Sequence, residues 1–279
     1  MSRTSAALIG CGHWGSILMK YLPKYFDVRF IADSKFDKSR IWSDPHVDAV
    51  VVATPPATHY EIVKAALLAR KHVMCEKPLT LDAEQAYELV ELSRRMNRVL
   101  IVDYVHTFSK GLRKAVEQVR GTGKVKKIVI KILKKGELKY EDVYWTLASH
   151  ALSILSMFTS LETLSLEKRD RESIRGVVYE GEILFPLGRI HVSMKSPRKV
   201  YEVQVFGEKG FVKWSPQSDP AVVSECGQQR ASFRFDESNN LDFAVRSFWE
   251  CIEGERDSCD SNCVMSARVT SKLSMLSGS

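Results

Sequence analysis

The triplet Glu76-Lys77-Pro78 places an ammonium group beside a carboxylate and directly ahead of a proline. A lysine so placed can polarise a hydroxyl or carbonyl and stabilise the negative charge that develops on it. About sixty residues upstream, a short apolar run ends in Gly10-Cys11-Gly12-His13-Trp14-Gly15. A G-x-G-x-x-G run that follows a strand and opens a helix gives a tight turn, close approach for a pyrophosphate and tight helix packing. The helix start adds N–H donors and the positive end of a dipole. Asp33 ends the second strand pattern, eighteen residues after Gly15, where an acid accepts hydrogen bonds from the adenine ribose. That acid disfavours a 2′-phosphate, whereas Ser34 and Lys35 beside it can accept one. NAD is therefore expected, with NADP open. Gly10, Gly12, His13, Trp14, Gly15, Asp33, Thr54, Pro55, His59 and Glu76 are the expected cofactor contacts. Glu76 either orients Lys77 or touches the cofactor.

A hydride donor needs a proton manager at the same carbon–oxygen bond. His150 is the candidate, in the helical run Asp142–His150. Thr146 and His150 are at i and i+4 and share a helix face. Lys77 and His150 are the expected catalytic residues, converging in the cleft between two domains. Tyr104, His106, Tyr144, Trp145 and Thr146 are candidate substrate contacts. His46, His72 and His191 read as structural. No metal site is expected. Cys259-x-x-x-Cys263 has ligand-like spacing but no partner pair, and the six cysteines fit no disulfide framework.

The elements that must position these residues follow from periodicity. Thr4–Ile9, Val28–Ala32, Asp48–Ala53, His72–Cys75 and Val99–Val102 are short Val- and Ile-rich runs, suited to parallel strands buried on both faces. Between them, Thr58–Arg70 has helical spacing and a capping box at Thr58 and Glu61. Leu81–Met96 is a second amphipathic helix, acidic at its start and basic at its end. After Tyr104 the rhythm changes. A basic helix at about 110–120, a strand at Val125–Leu133 and a helix at about 142–158 lead into strands at 163–168, 175–185, 188–195, 201–206, 210–214 and 230–235. Helices at about 241–253 and 262–277 close the chain. The expected class is α/β. A dinucleotide-binding domain at 1–105 precedes a substrate-binding and oligomerisation domain at 106–279, built on a largely antiparallel open sheet.

The 279 residues carry a formal charge of +7. Lys110 to Lys139 holds eleven Lys and Arg against two Glu, so the rest of the chain is near −2. That segment reads as a solvated helix face and a lysine-guarded edge strand, or as a lure for an anionic substrate such as a sugar nucleotide. No stacking or groove-reading motif accompanies the charge, so nucleic acid is not an expected partner. No apolar run approaches the roughly 18 residues of a membrane helix. Ala6–Ile9 is too short for a signal-peptide core. A cytoplasmic protein is expected.

Together, Gly10–Gly15, Val50–His59, Lys71–Leu79 with its Glu-Lys-Pro signature, and Trp145–Ile154 resemble the glucose–fructose oxidoreductase, inositol dehydrogenase and rhizopine-catabolism (Gfo/Idh/MocA) family. Ile190–Ser193, Ser196–Lys199 and Gly207–Gly210 resemble its members that act on nucleotide sugars. The resemblance implies a Rossmann domain followed by an α/β domain, NAD(P), and reversible oxidation of a sugar or polyol alcohol. It maps the family's lysine onto Lys77 and its histidine onto His150. It also implies a cis Lys77–Pro78 bond and pairing of open sheets into a homodimer or homotetramer. Two departures stand out. The family usually has Asp four residues before the histidine and often another just after it; here Thr146 and Ala151 stand there. Only about fourteen residues separate Asp33 from Asp48, so the helix between them should be truncated or absent. The expected function is an NAD(P)-dependent sugar or nucleotide-sugar oxidoreductase. The alternatives are a cofactor-binding protein that works without catalysis, and an imine or enamine reductase.

Overall fold

The computed structural model describes residues 3–135, 142–254 and 260–277. The chain divides into two compact units, Met1–Val105 with Leu241–Ser271, and His106–Asn240 with Lys272–Ser279. The segment Leu241–Ser271 therefore groups with the first unit, where the sequence pattern had placed it in the second.

The first unit is built on five parallel strands: β1 (Ser5–Ile9), β2 (Asp27–Ala32), β3 (Ala49–Val52), β4 (His72–Glu76) and β5 (Leu100–Asp103), in the order β2-β1-β3-β4-β5. Strands β1, β3 and β5 are buried at every position, which explains their unbroken apolar runs. The strand order reverses between β1 and β3, and ligands of such sheets bind at that point, outside the carboxyl ends. The helices are α1 (His13–Leu18), α2 (Leu22–Tyr25), α3 (Ser39–Ser43), α4 (His59–Leu68) and α5 (Ala83–Met96). The five-residue α3 is the truncated element that the short spacing after Asp33 required. Helix α5 starts on Asp82, whose carboxylate accepts from Gln85 N, and ends on Asn97 in the left-handed conformation. The capping box expected at α4 does not form. Thr58 is itself helical in backbone, and its hydroxyl lies 2.8 Å from both the Pro55 carbonyl, to which it donates, and Thr54 Oγ1.

The second unit holds an eight-stranded sheet of β6 (Val125–Lys135), β7 (Glu167–Ile174), β8 (Val177–Phe185), β9 (Gly188–Ser193), β10 (Lys195–Gly207), β11 (Gly210–Trp214), β12 (Val222–Cys226) and β13 (Gln229–Phe233). Its order is β13-β12-β11-β10-β6-β9-β8-β7, antiparallel except for the β6–β9 pair. Strand β12 was not anticipated, because its turn-flanked VVSEC is short and half polar. The lysine-rich β6 is not an edge strand as expected. It lies inside the sheet, paired with β10 and β9, and its lysines alternate with the buried Ile128, Ile130 and Ile132. Helices α6 (Lys110–Val119) and α7 (Ser149–Leu155) pack against this sheet.

Helices α8 (Asn240–Ile252) and α9 (Asp260–Ser277) follow. In the first unit, Phe248 packs on Phe26 and Asp242 pairs with Lys24 at 3.0 Å. The Asn262 amide bonds both backbone groups of Val102, so it caps the free edge of β5 as a strand would. Such partners explain the return of 241–271 to this unit. Cys11, Cys75, Cys226 and Cys263 are free thiols, whereas Cys251 is disulfide-bonded, which departs from the reading that the cysteines fit no disulfide framework. Among the described residues no helix is long and apolar enough to cross a membrane, and no three metal-ligating side chains cluster.

Candidate active site

Each expected cofactor residue falls at the carboxyl edge of the first unit's sheet. Gly10 follows β1 with φ +108°, and a Cβ there would lie 2.5 Å from the Ala53 carbonyl oxygen. Only glycine takes that backbone easily. A Cβ on Gly15 would collide with the Gly10 carbonyl, so this glycine lets α1 close onto the turn. Gly12 differs: a Cβ would meet nothing within 4 Å. Gly12 is also the N-cap of α1 and makes no side-chain cap bond. The open space over Gly12, at a helix start, is the cradle a pyrophosphate requires. His13 and Trp14 are exposed beside it, their rings edge to face at 5.5 Å.

Asp33 directly follows β2 and is exposed. Its Oδ1 accepts from Lys35 N at 2.9 Å and Phe36 N at 3.0 Å, which orients the carboxylate and leaves Oδ2 for a ribose hydroxyl. Thr54 and Pro55 follow β3, half-buried and exposed respectively. His59 is a different case. It is 1% exposed, and its Nδ1 and Nε2 lie 2.8 Å from the carbonyls of Pro78 and Thr54. Burial, with Lys77 nearby, drives the ring towards the neutral form. A neutral ring has one N–H and donates it to one of these two carbonyls; buried between them, His59 reads as a packing residue of the two loops rather than a cofactor contact. It ties the loop after β3 to the loop that carries Lys77.

Lys77 follows β4, half-buried, and the Lys77–Pro78 bond is cis. Glu76 is 9% exposed, and burial pushes its carboxyl up to about 7 against the opposing pull of Lys77 and of the Lys77 backbone N–H. Burial turns Glu76 inward, so of its two expected roles, orienting Lys77 is the one the geometry favours over touching the cofactor. Tyr104, one residue past β5, is wholly buried, and burial raises its hydroxyl pKa. It is a core residue, which corrects its reading as a substrate contact.

In the second unit His150 opens α7, half-buried. The turn before it, Tyr144–Ala148, is a π-helix rather than the plain α-helix expected, and such widened turns recur at functional sites. The His106 ring lies edge-on to His150 at 5.3 Å, tilted on Tyr201 at 4.7 Å and edge-on to Trp214 at 6.1 Å. Lys199 Nζ stands 5.3 Å from the Tyr201 ring centroid. The structure thus brings His106 and His150 into one aromatic cluster. Tyr201 and Trp214 were missed, since a strand aromatic on a core face looks like packing in sequence. Trp145 and Thr146 are half-buried. The Thr146 hydroxyl donates to the Asp142 carbonyl at 3.0 Å, so toward His150 it can only accept. Tyr144 is not a substrate contact. Its hydroxyl donates to Asp170 at 2.9 Å, and it packs so tightly over Gly181 that a Cβ there would overlap it.

Residues 6–104 match the oxidoreductase family with an NAD-binding Rossmann fold, Gfo/Idh/MocA. D-glucoside 3-dehydrogenase of Escherichia coli is 37% identical over 92 residues, 30% of this chain and 26% of that protein. A dTDP-3,4-didehydro-2,6-dideoxy-alpha-D-glucose 3-reductase of Saccharopolyspora spinosa is 41% identical over 80 residues, 29% of this chain and 24% of that protein. The matches span about a third or less of the curated relatives' length. Beyond that domain the fold is shared. The solved UDP-N-acetylglucosamine 3-dehydrogenase of Acidithiobacillus ferrooxidans superposes with TM-score 0.89 at 17% identity, over 100% of this chain and 98% of that one. The glycine loop and its open cradle agree with this match: residues 6–104 form an NAD-binding Rossmann domain like that of the Gfo/Idh/MocA oxidoreductase family.

Proposed function

We propose that the protein is an NAD(P)-dependent oxidoreductase that acts on a sugar or nucleotide-sugar alcohol or ketone. The observation that carries this reading is Lys77 at the carboxyl end of β4, in the sheet whose glycine loop leaves a pyrophosphate cradle. When bound, the nicotinamide supplies or accepts a hydride. Lys77 polarises the substrate oxygen and stabilises its developing charge. His150 takes or gives the hydroxyl proton, with His106 edge-on to its ring and Tyr201 packed behind His106. Asp33 holds the adenine ribose. The cationic 110–135 segment favours a diphosphate-bearing substrate by attraction. The test is a change in NADH fluorescence or absorbance when nucleotide sugars and free sugars are added. One specific observation favours the non-catalytic alternative: the Thr146 hydroxyl is turned to Asp142, and no carboxylate stands at that position to balance a His150 imidazolium. Binding of NADH without turnover of any nucleotide sugar, free sugar or polyol would support it.

Asp33→Ser should weaken NADH about tenfold, about 1.4 kcal/mol, and spare or improve NADPH. Isothermal titration of both cofactors checks this, and a wild type that already prefers NADPH tenfold would remove Asp33 from its role.

A homodimer or homotetramer is the assembly we propose, through the sheet face turned away from α6 and α7. On that face the ion pairs Arg171–Glu182 (2.8 Å) and Lys213–Glu202 (2.8 Å) and the His191–Glu180 hydrogen bond (2.9 Å) are interleaved with half-exposed Leu133, Leu184, Val200, Phe206 and Phe211. Apolar side chains between mutually neutralised charges suit a polar, face-to-face interface. Light scattering at micromolar concentration should give at least twice the mass of one chain; a clean monomer refutes the interface.

A further inference from the structure

Glu76 and Asp103 end the adjacent parallel strands β4 and β5 and are register partners. Partners on neighbouring strands are about 4.8 Å apart and project to one face of the sheet. Both side chains are buried, Glu76 at 9% exposure and Asp103 at 4%. Glu76 Oε1 and Asp103 Oδ1 are shut off from solvent, and neither accepts a hydrogen bond from the protein. Two ionised carboxylates side by side in the interior would leave two acceptors unpaired and two like charges facing. One proton removes both difficulties, because a protonated carboxyl donates to its neighbour and the pair then carries a single charge.

We infer that Glu76 and Asp103 hold one proton between them and act as a positioning pair, keeping one negative charge against the Lys77 ammonium. This rests on the catalytic role proposed for Lys77. Burial and mutual repulsion raise both carboxyls, Glu76 to about 7, while Lys77 opposes the rise in each. Among the described residues, the other titratable groups flanking the pair do not supply a second cation. Cys75 is buried and its thiol is pushed up by burial and by Glu76. Tyr104 is buried and held protonated. His59 is driven neutral by burial and by Lys77. Glu76 gives up its proton at about 7, and Asp103 is raised as well; as the pair deprotonates, the negative charge gained holds the Lys77 proton more tightly. Catalysis through Lys77 therefore inflects near that pH. Asp103→Asn removes the repulsion, so Glu76 ionises at lower pH.

Infrared titration of the full chain without cofactor reads the proton itself. The wild type should show a protonated-carboxyl band at about pH 6 that is lost by about pH 8. Asp103→Asn should lose it about one unit lower, and the Glu76→Gln, Asp103→Asn double variant should lack it. Lys77→Met should keep the band to higher pH, because the opposing cation is gone. In kinetics, Asp103→Asn should move the kcat/KM inflection about one unit towards acid, with NADH affinity held within about threefold. No wild-type band, or a band that Asp103→Asn leaves in place, overturns the shared proton. An unmoved inflection overturns the positioning role. If Asp103→Asn does not fold, Glu76→Gln is read in the same way, on the Asp103 band. Should Lys77→Met remain fully active while the band behaves as stated, the catalytic reading of Lys77 fails and the proton-sharing pair stands.

Discussion

Lys77→Met should lower turnover by about a thousandfold while NADH affinity changes less than about threefold. Methionine keeps the length and apolar stem of the half-buried side chain, so the loop that His59 holds through the Pro78 carbonyl has no reason to move. What disappears is a cation facing the Glu76 carboxyl and the group that stabilises charge on the substrate oxygen. An interaction made only in the transition state lowers kcat and kcat/KM together. The cofactor is held elsewhere, by the glycine loop after β1 and by Asp33, so its binding should survive. Stopped-flow or steady-state assay with a responsive sugar, alongside an NADH titration, separates the two effects. His150→Asn should cost less, about tenfold, because no carboxylate at position 146 strengthens that histidine as a base. Thr146→Asp should raise activity, since it restores a charge that can orient and balance the imidazolium. A Lys77→Met enzyme near wild-type turnover would move the reading to the non-catalytic alternative.

The contrast between Lys77 and His59 shows what the chain alone could convey. Lys77 was legible because strand, signature and proline fix its place along one continuous segment. His59 carried a plausible polar ring near the same loop, yet its role depends on two carbonyls, Thr54 and Pro78, five and nineteen residues away. No local pattern encodes such a bridge. The parallel sheet was readable because strands buried on both faces must be apolar throughout, as β1 and β3 are. The same logic failed at β6, where lysines suggested an edge; its outer face instead carries ion pairs such as Lys131–Glu202 inside a wide sheet. Tyr104 and Tyr144 looked like pocket walls because tyrosine serves core and site equally well. Burial decided one and the Asp170 hydrogen bond the other. Asp103 looked like a strand end and nothing more, because its significance is the register that sets it beside Glu76.

Gly12→Val should weaken NADH about a hundredfold and leave the fold nearly unchanged. The two halves of that expectation come from separate observations. Gly12 has φ −76° and ψ −162°, an extended conformation that a β-branched residue adopts without strain. An added Cβ meets no atom within 4 Å, so no protein neighbour has to give way. The melting temperature should therefore stay within a few degrees of wild type. The space the valine fills is the approach to the helix start, where the pyrophosphate must come close to backbone N–H groups. Gly10→Val makes the control: φ +108° and a Cβ 2.5 Å from the Ala53 carbonyl should cost folding stability before any cofactor is added. Thermal melts and NADH fluorescence titrations on the two variants should thus diverge, one losing ligand and keeping its fold, the other losing the fold. A Gly12→Val protein that binds NADH within threefold of wild type would show that the loop's glycines serve packing alone and that the cofactor lies elsewhere.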